Sequence, residues 1–477
     1  MIDLSLISNV PGLLTALESH CGQDVIIRHM DDDRVIEITA SDFFTQVRRC
    51  AHSLASYNLS GRHVGLMGAN RPQWMVHFCA LSYIGAVAVL MSPDLNPVEL
   101  AEKAELADVD FILHDERISV SLPGASMDRC LDHFPDTPIP CPDARPEDPA
   151  CILFTSGTTA AGKAVMLSHR AVVAGSCHNV VAHPFTAQLA ILPMHHVAGF
   201  ATVLNTWYLG RVVCLGEDVK YLYRYLERLQ PDYVLTVPAI LMAILRKLKN
   251  GGPNGSLLGW NLKLVGCGGA KFQPEVIQAL NDRNILVLQS YGATEAGGLG
   301  FDWEMTPACR NTIGKPCPEI TIKIVDGELW LKSDSVMSGY YKDSAATAAV
   351  LQDGWYATGD LCTQDEEGYL WLTGRKNNLI ILANGENVSP EEIEIRLSAC
   401  EAISEVLVGL EGNLITATVF PADNLDETME LIRGAVTAYN RGVPPYKQIQ
   451  NLRFTDEPFP KTAVGKIIRR SAKEGES

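Results

Sequence analysis

No Cys-x-x-Cys pair and no cluster of cysteine and histidine at zinc spacing occurs in the 477 residues, so neither a zinc ribbon nor a dithiol redox motif is encoded. The thirteen cysteines are odd in number and scattered from Cys21 to Cys400, the pattern of reduced thiols rather than disulfide staples. Positive charge is scarce as well. Thirty-nine Lys and Arg against 56 Asp and Glu leave a net charge of −17, which excludes nucleic acid and an anionic membrane surface as general partners. A local basic site for a small anion remains compatible with that balance. Long apolar runs are missing too: the stretch from Phe78 to Pro93 contains Ser82 and Gly85 and falls short of the ~20 residues a membrane span needs. It reads as a buried helix running into a core strand. Met1-Ile-Asp-Leu has no basic n-region, so no secretory signal is expected, and a cytoplasmic location is.

What is present suits a globular protein. Hydrophobic residues make up 47% and charged residues 20%, enough to build sizeable cores. At roughly 150 residues per unit, the length predicts about three folding units, or one large domain with a smaller one. Phe43, Phe44, Val47, Cys50, Ala51 and Leu54 recur at helical spacing after Thr39 and Ser41, which can cap, so a helix is predicted over 40–57. Strands are predicted at 64–67, 86–90 and 111–114, with helices over 72–83 and 97–107 between them. The rhythm returns with strands at 189–193, 212–215, 233–237, 262–266 and 285–289, which predicts a largely parallel sheet covered by helices. Six prolines between Asp132 and Pro149 mark a link. Beyond residue 310 the pattern alternates around Asp326-Gly327, a hairpin signal. The last hundred residues form their own unit of helices at 390–400 and 425–439 with strands at 404–409 and 414–419, and a hinge is placed near Gly374-Arg375.

The segment Phe154-Thr-Ser-Gly-Thr-Thr-Ala-Ala-Gly-Lys163 carries the strongest chemical signal. Small residues let backbone N–H groups face an anion, Ser156, Thr158 and Thr159 add hydroxyl donors, and Lys163 adds charge. Gly157 to Lys163 also fits the start of a Walker P-loop. Yet Ala164 follows, which cannot hold magnesium, and the apolar flanks 152–154 and 165–167 read as two strands joined by a loop rather than a strand feeding a helix. Cys267, within Leu264-Val-Gly-Cys-Gly-Gly-Ala270, reads either as a thiol near chemistry or as a small buried hydrophobe.

This loop is followed in order by Leu192-Pro-Met-His-His196-Val-Ala-Gly199, Tyr291-Gly-Ala-Thr-Glu295, Gly327-Glu-Leu329 with Gly339-Tyr-Tyr341, Gly354-Trp-Tyr-Ala-Thr-Gly-Asp360, Gly374-Arg375 with Gly385-Glu-Asn-Val-Ser-Pro-Glu-Glu-Ile-Glu394, and Pro460-Lys-Thr-Ala-Val-Gly-Lys466. The series resembles the acyl-adenylate-forming superfamily of acyl- and aryl-CoA ligases, peptide-synthetase adenylation domains and luciferases, over roughly residues 35–470. The resemblance implies an α/β fold: a large N-terminal domain of αβ-layered sheets with a β-barrel-like subdomain (1–373), and a small mobile α+β C-terminal lid (374–477). It implies ATP and magnesium as cofactors, with a carboxylic acid converted to acyl-AMP and then passed to the thiol of coenzyme A. It also implies roles. Thr155, Ser156, Gly157, Thr158, Thr159 and Lys163 cradle the departing phosphates. Thr294 and Glu295 stand at the α-phosphate, with Glu295 on the magnesium. Tyr291 lies on adenine beside Gly269 and Ala270, Asp360 accepts the ribose hydroxyls with Arg375 as a second contact, and His196 gates the acid. Lys466 neutralises charge as the acid attacks. Residues 197–205, 266–270 and 291–299 wall the acyl pocket, where Gly297, Gly298 and Gly300 hint at a bulky acid.

Departures from the family pattern are few. Ala160, Gly162 and Ala164 replace the usual Gly, Pro and Gly, preserving small size, and Asn377 stands where a hinge Asp or Lys is common, which predicts altered rotation kinetics of the lid rather than its loss. The Gly385–Pro390 stretch looks more like fatty-acid and aryl ligases than amino-acid-activating domains, and Ala239 and Ile240 offer no acidic anchor for an amino group. A medium- or long-chain or aromatic acid is therefore expected. The alternatives are an adenylation enzyme that loads the phosphopantetheine arm of a carrier protein, and a degenerate relative retained for binding.

Overall fold

The computed structural model describes residues 7–138, 144–155, 162–177, 185–250, 260–268, 274–298, 301–302, 312–382, 386–461 and 467–469, with the backbone alone for 249–250, 274–276 and 301–302. Two seven-stranded sheets dominate. The first runs in the order Leu286–Ser290, Leu264–Gly268, Tyr233–Thr236, Ala187–Ala190, Val212–Leu215, Val25–Asp31, Arg34–Thr39. Every pairing in it is parallel except the last. The second runs Gly339–Tyr340, Ala164–Ser168, Pro149–Phe154, Val87–Met91, His63–Met67, Phe111–His114, Gly124–Ser126, antiparallel at its first two pairings and parallel beyond them.

Period-two alternation assigns each strand to two cores. In Val87–Met91, all five residues are buried, as expected of an interior parallel strand. Ala88 and Leu90 pack inward into the large central core, and Val87, Val89 and Met91 pack on the opposite face with Leu100 and Ala104 of helix Pro97–Leu106. The central core also takes Ile27, Val213 and Leu215 from the first sheet, together with helices Val10–Cys21, Ala40–Ala55, Pro72–Tyr83 and Val197–Tyr208. A helical layer is thus sandwiched between the two sheets. Trp207 of that layer donates its indole N–H to the Ile26 carbonyl at 3.0 Å, satisfying a polar group that burial would otherwise orphan. Helices Leu222–Arg228 and Pro238–Asn250 cover the far face of the first sheet.

The sequence signals mostly mark real element ends. Thr39 caps Ala40–Ala55 by accepting from the Asp42 N–H at 3.1 Å, and Asn96 with Glu99 forms a capping box on Pro97–Leu106. The apolar run 78–93 is the end of helix Pro72–Tyr83 followed by strand Val87–Met91. No helix among the described residues is long and apolar enough to cross a membrane. The Asp326-Gly327 pair turns with φ of 52° and 79°, both positive as a type I′ hairpin requires, joining Thr321–Val325 to Glu328–Lys332. These strands belong to a five-stranded antiparallel sheet with Leu351–Gln352, Trp355–Gln364 and Leu370–Arg375. It is the form taken by the expected barrel-like subdomain, with no closing pair among the described residues. The C-terminal residues build a separate small core around strands Ile403–Glu411, Leu414–Pro421 and Asn451–Phe454 and helices Pro390–Leu397 and Asp426–Arg441.

Gly297 fills a role other than leaving space. A Cβ there would lie 2.5 Å from the Ser335 carbonyl oxygen, and its φ is +66°. Its own carbonyl oxygen stands against the place where a Cβ on Gly175 would sit. Close backbone approach, not a widened pocket, explains this glycine. Gly297→Ala is expected to cost about 1–3 kcal/mol through overpacking, read as a lowered urea midpoint at unchanged slope.

Candidate active site

Strands Pro149–Phe154 and Ala164–Ser168 pair antiparallel, with Phe154 opposite Ala164. The 155–163 segment therefore closes a strand–loop–strand unit. At its base Thr155 N–H donates to the Lys163 carbonyl at 3.0 Å, and Lys163 N–H points at the Thr155 hydroxyl at 3.4 Å. Lys163 directly precedes a strand, not a helix, which removes the Walker P-loop reading. Ser156, Gly157, Thr158 and Thr159 lie outside the described residues, as does Ala160. The Lys163 ammonium sits 4.5 Å from the ring centroid of Tyr340, whose strand pairs with Ala164–Ser168. Tyr340 in turn donates its hydroxyl to Glu295 Oε1 at 2.9 Å. Burial, then the Glu295 carboxylate, drives the Tyr340 phenol pKa upward, so it stays a donor.

Glu295 lies in a single 3-10 turn, Thr294–Ala296, just beyond the carboxyl end of strand Leu286–Ser290. Its carbonyl accepts from Met337 N–H at 2.8 Å. Lys163, Tyr340 and Glu295 thus join the loop of the second sheet to the carboxyl edge of the first, the kind of crevice where open α/β sheets bind ligands. Thr294 and Glu295 are partly accessible. They present a hydroxyl and a carboxylate, the hard oxygen donors that suit magnesium, and a metal held by one protein carboxylate plus substrate phosphates fits this donor set.

A second constellation forms around Asp360, which is 6% exposed. Asp360 and Arg375 are cross-strand partners, the placement in which opposite charges support each other. Arg375 Nε donates to Oδ1 at 2.8 Å, and the Tyr291 hydroxyl donates to Oδ2 at 2.8 Å. Burial foremost, and then the Asp360 charge, holds the Tyr291 phenol pKa well above its ordinary value. An ionised carboxylate has about four acceptor sites, so Asp360 retains capacity for two further hydroxyl donors. Tyr291 and Arg375 therefore aim this carboxylate, a task beyond the adenine and ribose contacts expected of them. Gly269 and Ala270 lie outside the described residues.

His195 and His196 stand in the turn before helix Val197–Tyr208. Asn70 pins that turn: its Nδ2 donates to the Leu192 carbonyl at 2.8 Å and its Oδ1 accepts from Met194 N–H at 2.9 Å. The imidazoles lie 4.5 Å apart between centroids, tilted by 44°. Burial pushes His195 down to about 3 and lowers His196, with the Lys103 charge as the second cause for His196. Both rings are neutral near pH 7. Both Nε2 atoms are buried without a hydrogen-bond partner among the described residues, a state that costs about 1–3 kcal/mol each and that a bound polar group relieves. A Cβ on Gly298 would come within 3.1 Å of Ala201 and 3.3 Å of Val197, so the 297–298 turn rests on this helix. Cys267 is fully buried and its thiol is pushed up to about 12 by burial, which settles it as a small hydrophobe.

Beyond Arg375, Lys376 pairs with buried Glu328 at 2.8 Å, and Asn377 lies in the 3-10 turn Lys376–Asn378. Asn378 Nδ2 donates to Glu391 Oε1 at 2.5 Å. Lys466 lies outside the described residues, but its flanks are fixed to the C-terminal core. Lys461 and Ile467 form a bridge, Lys461 pairs with Glu405 at 2.5 Å, and Arg469 pairs with Glu394 and donates to the Val408 carbonyl at 2.9 Å. Lys103 has no signature in the sequence. Its charged neighbours Glu102 and Glu105 are exposed, and a lysine in Ala-Glu-Lys-Ala-Glu gives no signal that it will lie over the Phe154 ring.

Comparison with known proteins accords with this geometry. Residues 15–341 match the AMP-binding enzyme family and residues 377–475 the AMP-binding enzyme C-terminal domain. A 4-coumarate–CoA ligase-like protein of Oryza sativa is 30% identical, over 91% of this chain and 87% of its own length. The indoleacetate–CoA ligase of Aromatoleum aromaticum is 28% identical, covering 90% and 91%. The o-succinylbenzoate CoA synthetase of Bacillus subtilis, solved with its acyl-adenylate intermediate, shares the fold with a TM-score of 0.83 at 23% identity, covering 98% of this chain and 99% of that one. With family matches that together span most of its length, the chain belongs to the AMP-binding enzyme family.

Proposed function

We propose that this protein is an AMP-forming acid–CoA ligase that acts on an aromatic or long aliphatic carboxylic acid. The observation that carries the reading is Asp360, buried and oriented from two sides by Arg375 and Tyr291 at 2.8 Å each, where Tyr291 lies in the same short segment as Glu295 of the Glu295–Tyr340–Lys163 chain. The first arrangement suits a ribose, the second a magnesium polyphosphate. In the first half-reaction a carboxylate oxygen of the acid attacks the α-phosphorus of ATP, the bond to the bridging oxygen breaks, and pyrophosphate leaves with that electron pair. In the second, the coenzyme A sulfur attacks the acyl carbon, the thiol proton passes to solvent, and AMP departs. The protein's task in the first step is positioning and charge neutralisation.

In this reading Thr155 and Lys163, with Ser156 to Thr159, hold the phosphates. Glu295 with Thr294 would hold magnesium, which supplies charge neutralisation when bound. His196 contacts the acid, and Lys466 reaches it from a lid formed by residues 374–477 that moves on a body of residues 1–373, with Asn377 in the hinge. The aromatic preference is supported by relatives named for coumarate-like, indoleacetate and succinylbenzoate substrates. Free thiols throughout the described chain suit the reducing cytoplasm.

ATP/pyrophosphate exchange across a panel of aliphatic, aromatic and amino acids, followed by addition of coenzyme A, tests the whole reading. Aromatic or long aliphatic acids are expected to support exchange and then consume coenzyme A. Acylation of a carrier protein without coenzyme A consumption would replace the acceptor, and absence of exchange with every acid would overturn the ligase reading.

A further inference from the structure

One buried carboxylate beside Asp360 has no part in the chemistry described so far. We infer that Glu328 is a positioning residue that holds the turn presenting Asp360 and the body side of the hinge as one piece; the inference rests on the ligase reading and the moving lid proposed above. Glu328 opens strand Glu328–Lys332, directly after the Asp326-Gly327 turn, and its side chain is 6% exposed. Taking a carboxylate out of water is costly unless its oxygens find good partners.

One oxygen serves the ribose side. Trp330 stands opposite Ala357 and Glu328 opposite Leu361, so Leu329 alone faces Thr358, Gly359 and Asp360. Residues bulged out of a ladder lose their regular partners, and their N–H groups must find others. Gly359 N–H donates to Glu328 Oε1 at 2.9 Å, with Gly359 at φ +72°. Asp360 N–H donates to the Thr358 hydroxyl at 3.0 Å, and that hydroxyl donates to the Leu329 carbonyl at 2.8 Å. The backbone that aims Asp360 is therefore held from strand Glu328–Lys332, and Glu328 is the side chain that reaches it.

The other oxygen serves the hinge. Lys376 Nζ donates to Glu328 Oε2 at 2.8 Å, and Lys376 begins the 3-10 turn Lys376–Asn378 directly after Arg375. A neutral amide oxygen would satisfy Gly359 N–H, whereas tying an otherwise half-exposed lysine takes a charge. Arg375 and Lys376 are thus bound to the body through Asp360 and Glu328. Asn378 is bound the other way, to Glu391 of the lid helix Pro390–Leu397. Asn377 lies between ties of opposite allegiance, so lid rotation is confined to its backbone and leaves the Asp360 turn undisturbed.

Two substitutions separate the two oxygens. In Glu328→Gln the amide oxygen still accepts from Gly359, so KM for ATP in pyrophosphate exchange and the preference for ATP over 2′,3′-dideoxy-ATP should stay as in the wild type. Lys376 loses its tie, and the initial rate of tryptic cleavage after Lys376 in the full chain, mapped by mass spectrometry, should rise about 5-fold, the upper end for a half-exposed ion pair. Maximal rates of both half-reactions should fall by a similar factor as the pivot lengthens. Lys376→Met added to Glu328→Gln should cost nothing further, because the pair acts as a unit. Glu328→Ala also leaves Gly359 N–H without its acceptor, which should raise KM for ATP about 10-fold and erode the preference over the dideoxy nucleotide. Unchanged cleavage after Lys376 in Glu328→Gln, additive losses in the double variant, or intact ribose discrimination in Glu328→Ala would each overturn the inference. Failure of the ligase reading is told apart, because wild-type protein would then show no exchange with any acid while the cleavage measurement still reads the Glu328–Lys376 tie.

Discussion

Lys466→Ala is expected to lower acyl-adenylate formation by about 10²- to 10³-fold, the cost of removing one preorganised group from developing negative charge, while thioester formation from supplied acyl-AMP changes far less. The asymmetry follows from where charge appears. In adenylation the attacking carboxylate, the α-phosphate and the leaving pyrophosphate crowd negative charge into one place. In thioester formation the electrophile is an acyl carbon and the leaving group is AMP, and the lid carries Lys466 away if it rotates about residues 374–378. The described flanks suit this expectation, because the Lys461–Glu405 and Arg469–Glu394 pairs tie residues on both sides of the segment to the C-terminal core. Pre-steady-state measurement of each half-reaction checks this, and equal loss in both halves would remove the assigned role. Arg469→Met should reproduce part of the adenylation defect without touching the lysine.

Asp360→Asn is the second substitution with a large expected effect. It keeps the shape of the side chain but removes the charge that Arg375 and Tyr291 face, and its amide presents a donor where an acceptor is needed. Hydrogen bonds to a charged group contribute about 1.5–3 kcal/mol each, so losing one or both ribose contacts should raise KM for ATP at least about 10-fold. Selectivity is the sharper readout. Wild-type protein should prefer ATP over 2′,3′-dideoxy-ATP, and that preference should collapse in the variant. A variant that discriminates as the wild type does would show that the ribose sits elsewhere. Fold stability should also drop, by about 1–3 kcal/mol, because Tyr291 is buried with its hydroxyl directed at Asp360. Arg375 is half exposed and recovers water, which keeps the loss below that of a fully buried pair.

Part of this site is legible in the amino-acid sequence. Thr39, Asn96-Pro97 and Asp326-Gly327 mark element boundaries through local chemistry, and the predicted strands fall within two or three residues of the observed ends. The hairpin Val25–Asp31 with Arg34–Thr39, on the edge of the first sheet, carries no such mark. Its burial pattern is mostly intermediate, so the alternation that announces a half-buried strand is blurred. Gly297 reads in the sequence as spare room, and the structure places backbone of Ser335 in that room. A missing side chain looks the same in sequence whether the space faces a ligand or a carbonyl.

The sequence by itself determined the chemical parts and their order: the hydroxyl-rich loop ending at Lys163, the Thr294-Glu295 pair, Asp360, Arg375 and the lysine near the end. Those are local facts, written in short runs whose composition constrains the chemistry directly. Tertiary structure decided the pairings. Tyr291 meets Asp360 across 69 positions, Tyr340 meets Glu295 across 45, and Lys103 comes to rest on Phe154 from a helix on the far face of the sheet. No periodicity encodes such meetings, because they depend on which strand edges are brought together when two sheets close on a shared helical layer.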